Sequence, residues 1–150
     1  MIEDRIEQDL KTALLGGDTA RVTTLRNMKA ALLNLKVAAG KRDSGLSDDE
    51  VIGILAKEAK KRQESADLYV QGGDQARADQ ELSEKKIIEE YLPAQLSDDE
   101  IRQAVDEAIM ATSANSPAAM GQVIGLVKGK LGAAADGSVI ARITKERLSQ

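Results

Sequence analysis

The chain has 150 residues, a formal charge of −4, and no cysteine, histidine, phenylalanine or tryptophan. Those absences exclude disulfides, thiol and imidazole nucleophiles, histidine general bases and His/Cys zinc sites; only an all-carboxylate Mg²⁺ or Ca²⁺ site remains open. A core drawn from Leu, Ile, Val, Ala and Met, with two prolines and 31% charged residues, predicts an all-α protein.

Ile2, Ile6, Leu10, Ala13 and Leu14 follow the 3.6-residue period of a first short helix. Gly16 and Gly17 end it, and Asp18 or Thr19 caps the next. That second helix carries Val22, Leu25, Met28, Leu32, Leu35 and Ala39 on one stripe, with Arg26, Lys29 and Lys36 together on an adjoining face. Gly40 and the polar run to Gly45 break it.

Leu46-Ser47-Asp48-Asp49-Glu50 opens a third helix as a capping box with Ser47 at the N-cap, Glu50 at the third position and Leu46 as staple. The same five residues return at 96–100. An internal repeat or a pair of acidic metal loops is the rival reading, but the flanks do not match and acids suit a first helical turn. The third helix should run to about Val70, with Val51, Leu55, Ala59, Ala66 and Tyr69 as its apolar side. Glu58 and Arg62, four apart on its edge, read as a surface pair or as a semi-buried one that sets register.

A fourth helix, from about Gln75, should end at Tyr91-Leu92, because Pro93 bars the helical conformation at the residue before it. Residues 92–96 are the expected boundary. Three shorter helices follow, over 98–111, 118–131 and 137–148. The expectation is a four-helix N-terminal domain, residues 1–92, and a three-helix C-terminal tail domain, residues 93–150.

Within the tail, Gly121, Gly125 and Gly129 recur every fourth residue and form one bare ridge on a helix. Each costs about 1 kcal/mol relative to alanine, so a neighbouring helix or a ligand backbone is expected to approach closely, and the ridge is read as a helix-packing device ahead of a ligand or partner site. Asp136 caps the last helix, whose stripe is Val139, Ile140, Ile143 and Leu148.

Charge is segregated. Residues 21–42 hold six bases and no acid, and residues 112–150 hold five bases against two acids. Lys128, Lys130, Arg142, Lys145 and Arg147 form the candidate phosphate-contacting set of the tail, and Arg26, Lys29 and Lys36 a second surface. With no aromatic platform for stacking bases, shape-based contact with a folded RNA fits better than readout of single strands. The alternative is that these are solvated faces of a helical adaptor that binds another protein. Ser65, Ser83, Thr112 and Ser113 have no histidine to activate them, so no catalytic residue, metal or cofactor is assigned. No apolar run approaches the ~20 residues of a membrane span. The acidic start MIEDRIEQDL lacks the plan of a signal peptide, so no membrane partner and a cytoplasmic location are expected. DNA is not an expected partner either.

KEAKKRQESADLY in the third helix, KKIIEEYLPAQLSDDEI at the boundary and MGQVIGLVKGKL…ADG near the end together resemble the GatB/YqeY family. The likeness spans nearly the whole chain, as in free-standing YqeY-like proteins. The C-terminal part is similar to the tail domain of GatB itself, a component of aspartyl/glutamyl-tRNA amidotransferase. The resemblance implies a helical N-terminal domain, a three-helix tail that holds a tRNA body, and an association with glutamine-dependent carbon–nitrogen ligase activity whose catalytic parts lie elsewhere. The tail pattern falls on Met120, Gly121, Val123, Gly125, Lys130, Asp136 and Gly137. Where family members carry basic residues before Ala-Asp-Gly, this chain has Gly132, Ala133 and Ala134.

Overall fold

The computed structural model describes residues 1–150 and contains seven α-helices and no strand. They are α1 (Ile2–Gly16), α2 (Thr19–Ala38), α3 (Asp48–Gln71), α4 (Gln75–Glu89), α5 (Asp98–Thr112), α6 (Met120–Leu131) and α7 (Gly137–Leu148), with single 3₁₀ turns at Pro117–Ala119 and Gly132–Ala134. The chain is all-α, as its aliphatic composition requires, and divides into two compact units, Met1–Leu92 and Pro93–Gln150.

In the first unit local signals place the helix ends. Gly17 takes a left-handed φ of 70° that closes α1, and the Asp18 carboxylate accepts the Arg21 N–H at 3.1 Å to start α2. Ser47 and Glu50 cap α3 reciprocally, over a buried Leu46. The start of α1 is capped from a distance instead: the Ile2 N–H donates to the Asp48 carboxylate, 46 residues on, at 3.0 Å.

The core of this unit is made by Ile6 and Leu10 of α1, Val22, Leu25, Met28 and Leu32 of α2, Val51, Leu55 and Ala59 of α3, and Ile88 and Tyr91. Each large side chain removed from water stabilises the fold by about 1.5–3 kcal/mol before entropy is counted. Leu35 packs partly against this core, whereas Ala39 lies beyond the end of α2 and is exposed.

Helix α4 ends at Glu89, two residues before the expected Tyr91. The N–H groups of Glu90, Tyr91 and Leu92 donate to carbonyls three residues back, so the helix tightens into a turn ahead of Pro93. That turn carries Tyr91 into the core. Its hydroxyl donates to the Asp9 carboxylate, and the Arg5 guanidinium lies 4.6 Å from its ring centre. Arg21 holds the neighbouring Glu90 through both nitrogens, at 3.2 and 2.7 Å. Burial, then the Asp9 contact, push the Tyr91 hydroxyl well above the usual phenol value. The hydrogen bond to Glu90 raises Arg21 above the ordinary guanidinium value.

Arg62 does not pair with Glu58. It reaches across to α4 and meets Glu81 at 3.2 Å and Glu84 at 3.4 Å, while Glu58 takes Lys61 at 3.0 Å. The semi-buried pairing of Arg62 therefore runs between helices rather than along one.

In the second unit Ser97 and Glu100 form the second capping box and Asp136 caps α7, accepting the Ser138 N–H at 2.7 Å. Both LSDDE segments thus serve as helix starts. Ile101 and Val105 of α5, Val123 and Val127 of α6, and Ile140, Ile143 and Leu148 of α7 fill the core. Gly132, at φ 56° and ψ −136°, sits where only glycine fits readily, and it starts the turn whose carbonyls tie down residues 95 and 96. Gln95 donates its side-chain amide to Ala133 O at 2.9 Å, and the Leu96 N–H donates to Ala134 O at 2.8 Å.

Candidate nucleic-acid interface

The eight cations nominated for phosphate contact are distributed over α2, α6 and α7, and most of them already have a carboxylate. On α2, Lys29 pairs with Glu7, and Lys36 with Glu3 at 2.5 Å, both acids coming from α1. Arg21 and Lys41, from the same run of bases, take Glu90 and Glu50. A stretch without a single acid in sequence is thus largely neutralised by α1, α3 and the end of α4. Arg26 takes part in none of these ion pairs.

The tail shows the same pattern. Lys130 meets Glu107 at 2.7 Å, Arg142 meets Asp98 at 2.8 Å and Glu146 at 3.4 Å, and Arg147 meets Asp106 at 2.9 Å. Lys145 and Lys128 are in no such pair. Lys128 runs across the start of α7: its Cε and Nζ lie 3.0 and 3.2 Å from where a Cβ on Gly137 would stand. Gly137 is therefore glycine for close approach, and alanine there would displace the Lys128 tip. The five tail cations do not form one bare basic patch.

Hydrogen bonds from Lys29, Lys41 and Lys130 hold Glu7, Glu50 and Glu107 below the ordinary carboxyl value of 4.5. A depressed folded-state value stabilises the fold above the unfolded value, and that contribution disappears as the pH falls through the folded one. The melting temperature should accordingly hold between neutrality and about pH 5 and decline below it. Glu7→Gln should be less stable at pH 7 and should show a shallower acid decline; a parallel decline in both proteins would remove Lys29–Glu7 as a source.

The glycine ridge is corrected by the structure. A Cβ built on Gly121, Gly125 or Gly129 meets nothing within 4 Å, and all three are exposed. Val123 and Val127 are fully buried. Positions two residues from a buried valine lie about 200° around the helix from it, so the valines take the inner face and the glycines point outward. No helix of this chain packs on the ridge.

Gly125→Ala should therefore stabilise the protein by roughly 0.5–1 kcal/mol, since helix propensity improves and no contact is strained. A urea melt measures this directly. A loss of stability would mean that something does approach the ridge.

The cross-helix ion pairs are what sequence reasoning missed. Spacing rules find partners three or four residues apart on one helix; Arg21–Glu90 spans 69 residues and Arg147–Asp106 spans 41. Of the acids involved, Glu3, Glu50 and Asp98 stand in first helical turns, whereas Glu7, Glu90, Asp106 and Glu107 carry no such local signal.

Seven helices in two units, with no strand and with the glycine face of α6 left open, define the class as an all-α protein. The sequence matches the family described as Yqey-like protein over residues 3–148. The chain belongs to that family. It is also similar to three yeast proteins named "Altered inheritance of mitochondria protein 41, mitochondrial". The likeness is 31% over 87 residues in Vanderwaltozyma polyspora, covering 58% of this chain and 46% of the relative. In Eremothecium gossypii it is 30% over 89 residues, 59% and 48% respectively. In Kluyveromyces lactis it is 29% over 89 residues, 59% and 47%. The matches thus cover about half the length of those relatives.

Proposed function

We propose that this chain is a non-catalytic module that associates with a folded RNA, tRNA being the first choice, through the outward face of α6 and α7. The observation that supports it best is the exposed Gly121, Gly125 and Gly129 ridge, bare enough for a sugar–phosphate backbone to come close, with the unpaired Lys128 and Lys145 in the same unit. Paired cations need not be lost to such a partner. Exposed ion pairs contribute about 0–1 kcal/mol, so a phosphate can displace Glu107 from Lys130 or Asp98 from Arg142 at small cost. The resemblance of the tail to that of GatB supports a link to a tRNA-dependent amidotransferase, with glutamine as amide donor; this chain would supply positioning and not chemistry.

A second reading, a protein-binding helical adaptor, is favoured by the neutralised charges themselves and by an open groove of about 400 Å³ between α1 and α2. Its apolar lining includes Ile6, Leu32 and a half-exposed Leu33. Capture of the tagged protein from its own cells, with bound RNA and protein both sequenced, separates the two. A tRNA-dominated catch supports the first; a protein partner that persists after nuclease treatment supports the second. No helix is long and apolar enough to cross a membrane. We also propose a cytoplasmic location, since a cysteine-free chain needs no oxidising compartment.

A further inference from the structure

The hairpin of α3 and α4 is built in two halves of different character. In the inner half, Val51, Leu55 and Ala59 of α3 and Ile88 of α4 belong to the core that α1 and α2 also line. In the outer half, residues 60–71 and 75–86, the buried side chains are Ala66 and Ala78, and neither joins that core. Twelve residues of helix on each side make an arm about 18 Å long. Leu68 and Val70 near its end are exposed, and the Arg77 guanidinium lies 5.7 Å from the ring centre of Tyr69.

Two alanines bury little apolar area, and paired helices of this length are marginal without a supporting core. What joins the halves is polar. Arg62 bridges Glu81 and Glu84 with all three side chains at least three-quarters buried, and Lys85 donates to Gln63 at 2.9 Å beside it. These groups sit where the aliphatic core stops.

We propose that the outer part of this hairpin, residues 62–84, opens and recloses as a unit while the rest of the domain stays folded, with Arg62 and its two glutamates as the latch. The latch is electrostatic, so added salt weakens it, whereas the Leu/Ile/Val core is indifferent to moderate salt. Opening exposes the inner faces of Ala66 and Ala78. It makes this arm the part of the molecule able to change shape at least cost.

Native-state amide hydrogen exchange on the full chain tests this. Amides within 66–82 should exchange at least tenfold faster than those of Leu25 and Leu55. Arg62→Gln should accelerate the arm by about tenfold and leave the core amides unchanged, and Arg62→Lys should restore part of the difference. Raising salt from low to molar concentration should act on the wild-type protein in the same selective way, which keeps the test open if Arg62→Gln fails to fold. Arm amides protected as strongly as the core, or an acceleration spread evenly over both, would overturn the proposal.

Discussion

Leu25→Ala is expected to lower the stability of the protein by about 2–5 kcal/mol, the usual cost of truncating a fully enclosed leucine. Leu25 has no solvent exposure and sits mid-stripe on α2, within a core that α1, α3 and the Ile88–Tyr91 turn also build. The cavity left by three carbons cannot close without moving helices anchored at several points, so the upper part of that range applies. Leu33→Ala, about 80° around the same helix from Leu25 and 51% exposed, should change stability by no more than about 0.5 kcal/mol. Chemical melts of the two variants side by side decide it. Comparable losses would show that Leu33 is covered in solution.

The second large effect is on RNA affinity. If phosphate contact drives binding, Lys128→Gln with Lys145→Gln should reduce affinity for every tRNA tested by similar factors. It should also flatten the log–log dependence on salt by about 1.4–1.8, from roughly 0.7–0.9 per lost contact. Lys130→Gln with Arg142→Gln should do less, because each cation is already engaged by carboxylates: Glu107 in one case, Asp98 and Glu146 in the other. In the free protein those cations are partly neutralised, so their net gain from a phosphate is smaller. On α2, Arg26→Gln should outweigh Lys29→Gln for the same reason. Filter binding at low salt reads all of these. A folded protein with no measurable tRNA affinity would leave the protein-adaptor reading in place.

The helices were legible because their signals are local. Apolar positions at 3.6-residue spacing, Ser47 and Ser97 in capping boxes, Asp18 and Asp136 as caps, and Gly17 as a left-handed terminator each act within one turn of chain. The Pro93 signal is equally local, though the i→i+3 bonds that close α4 early, and so bury Tyr91, depend on the core that receives the ring.

The site was less legible, because charge and exposure are properties of surfaces. In sequence, residues 21–42 form a cationic run; in space, Glu3, Glu7, Glu50 and Glu90 neutralise most of it. Gly121, Gly125 and Gly129 form a ridge in either view. Whether that ridge faces a helix or open space depends on which side Val123 and Val127 turn inward, and only packing decides that. Arg62 likewise has an acid four residues before it, yet takes its partners from α4. Local order along the helix was thus determined by the sequence itself. Which charges cancel and which face stays open was decided by tertiary structure, because Coulomb energy and burial depend on distance in space and not on separation along the chain.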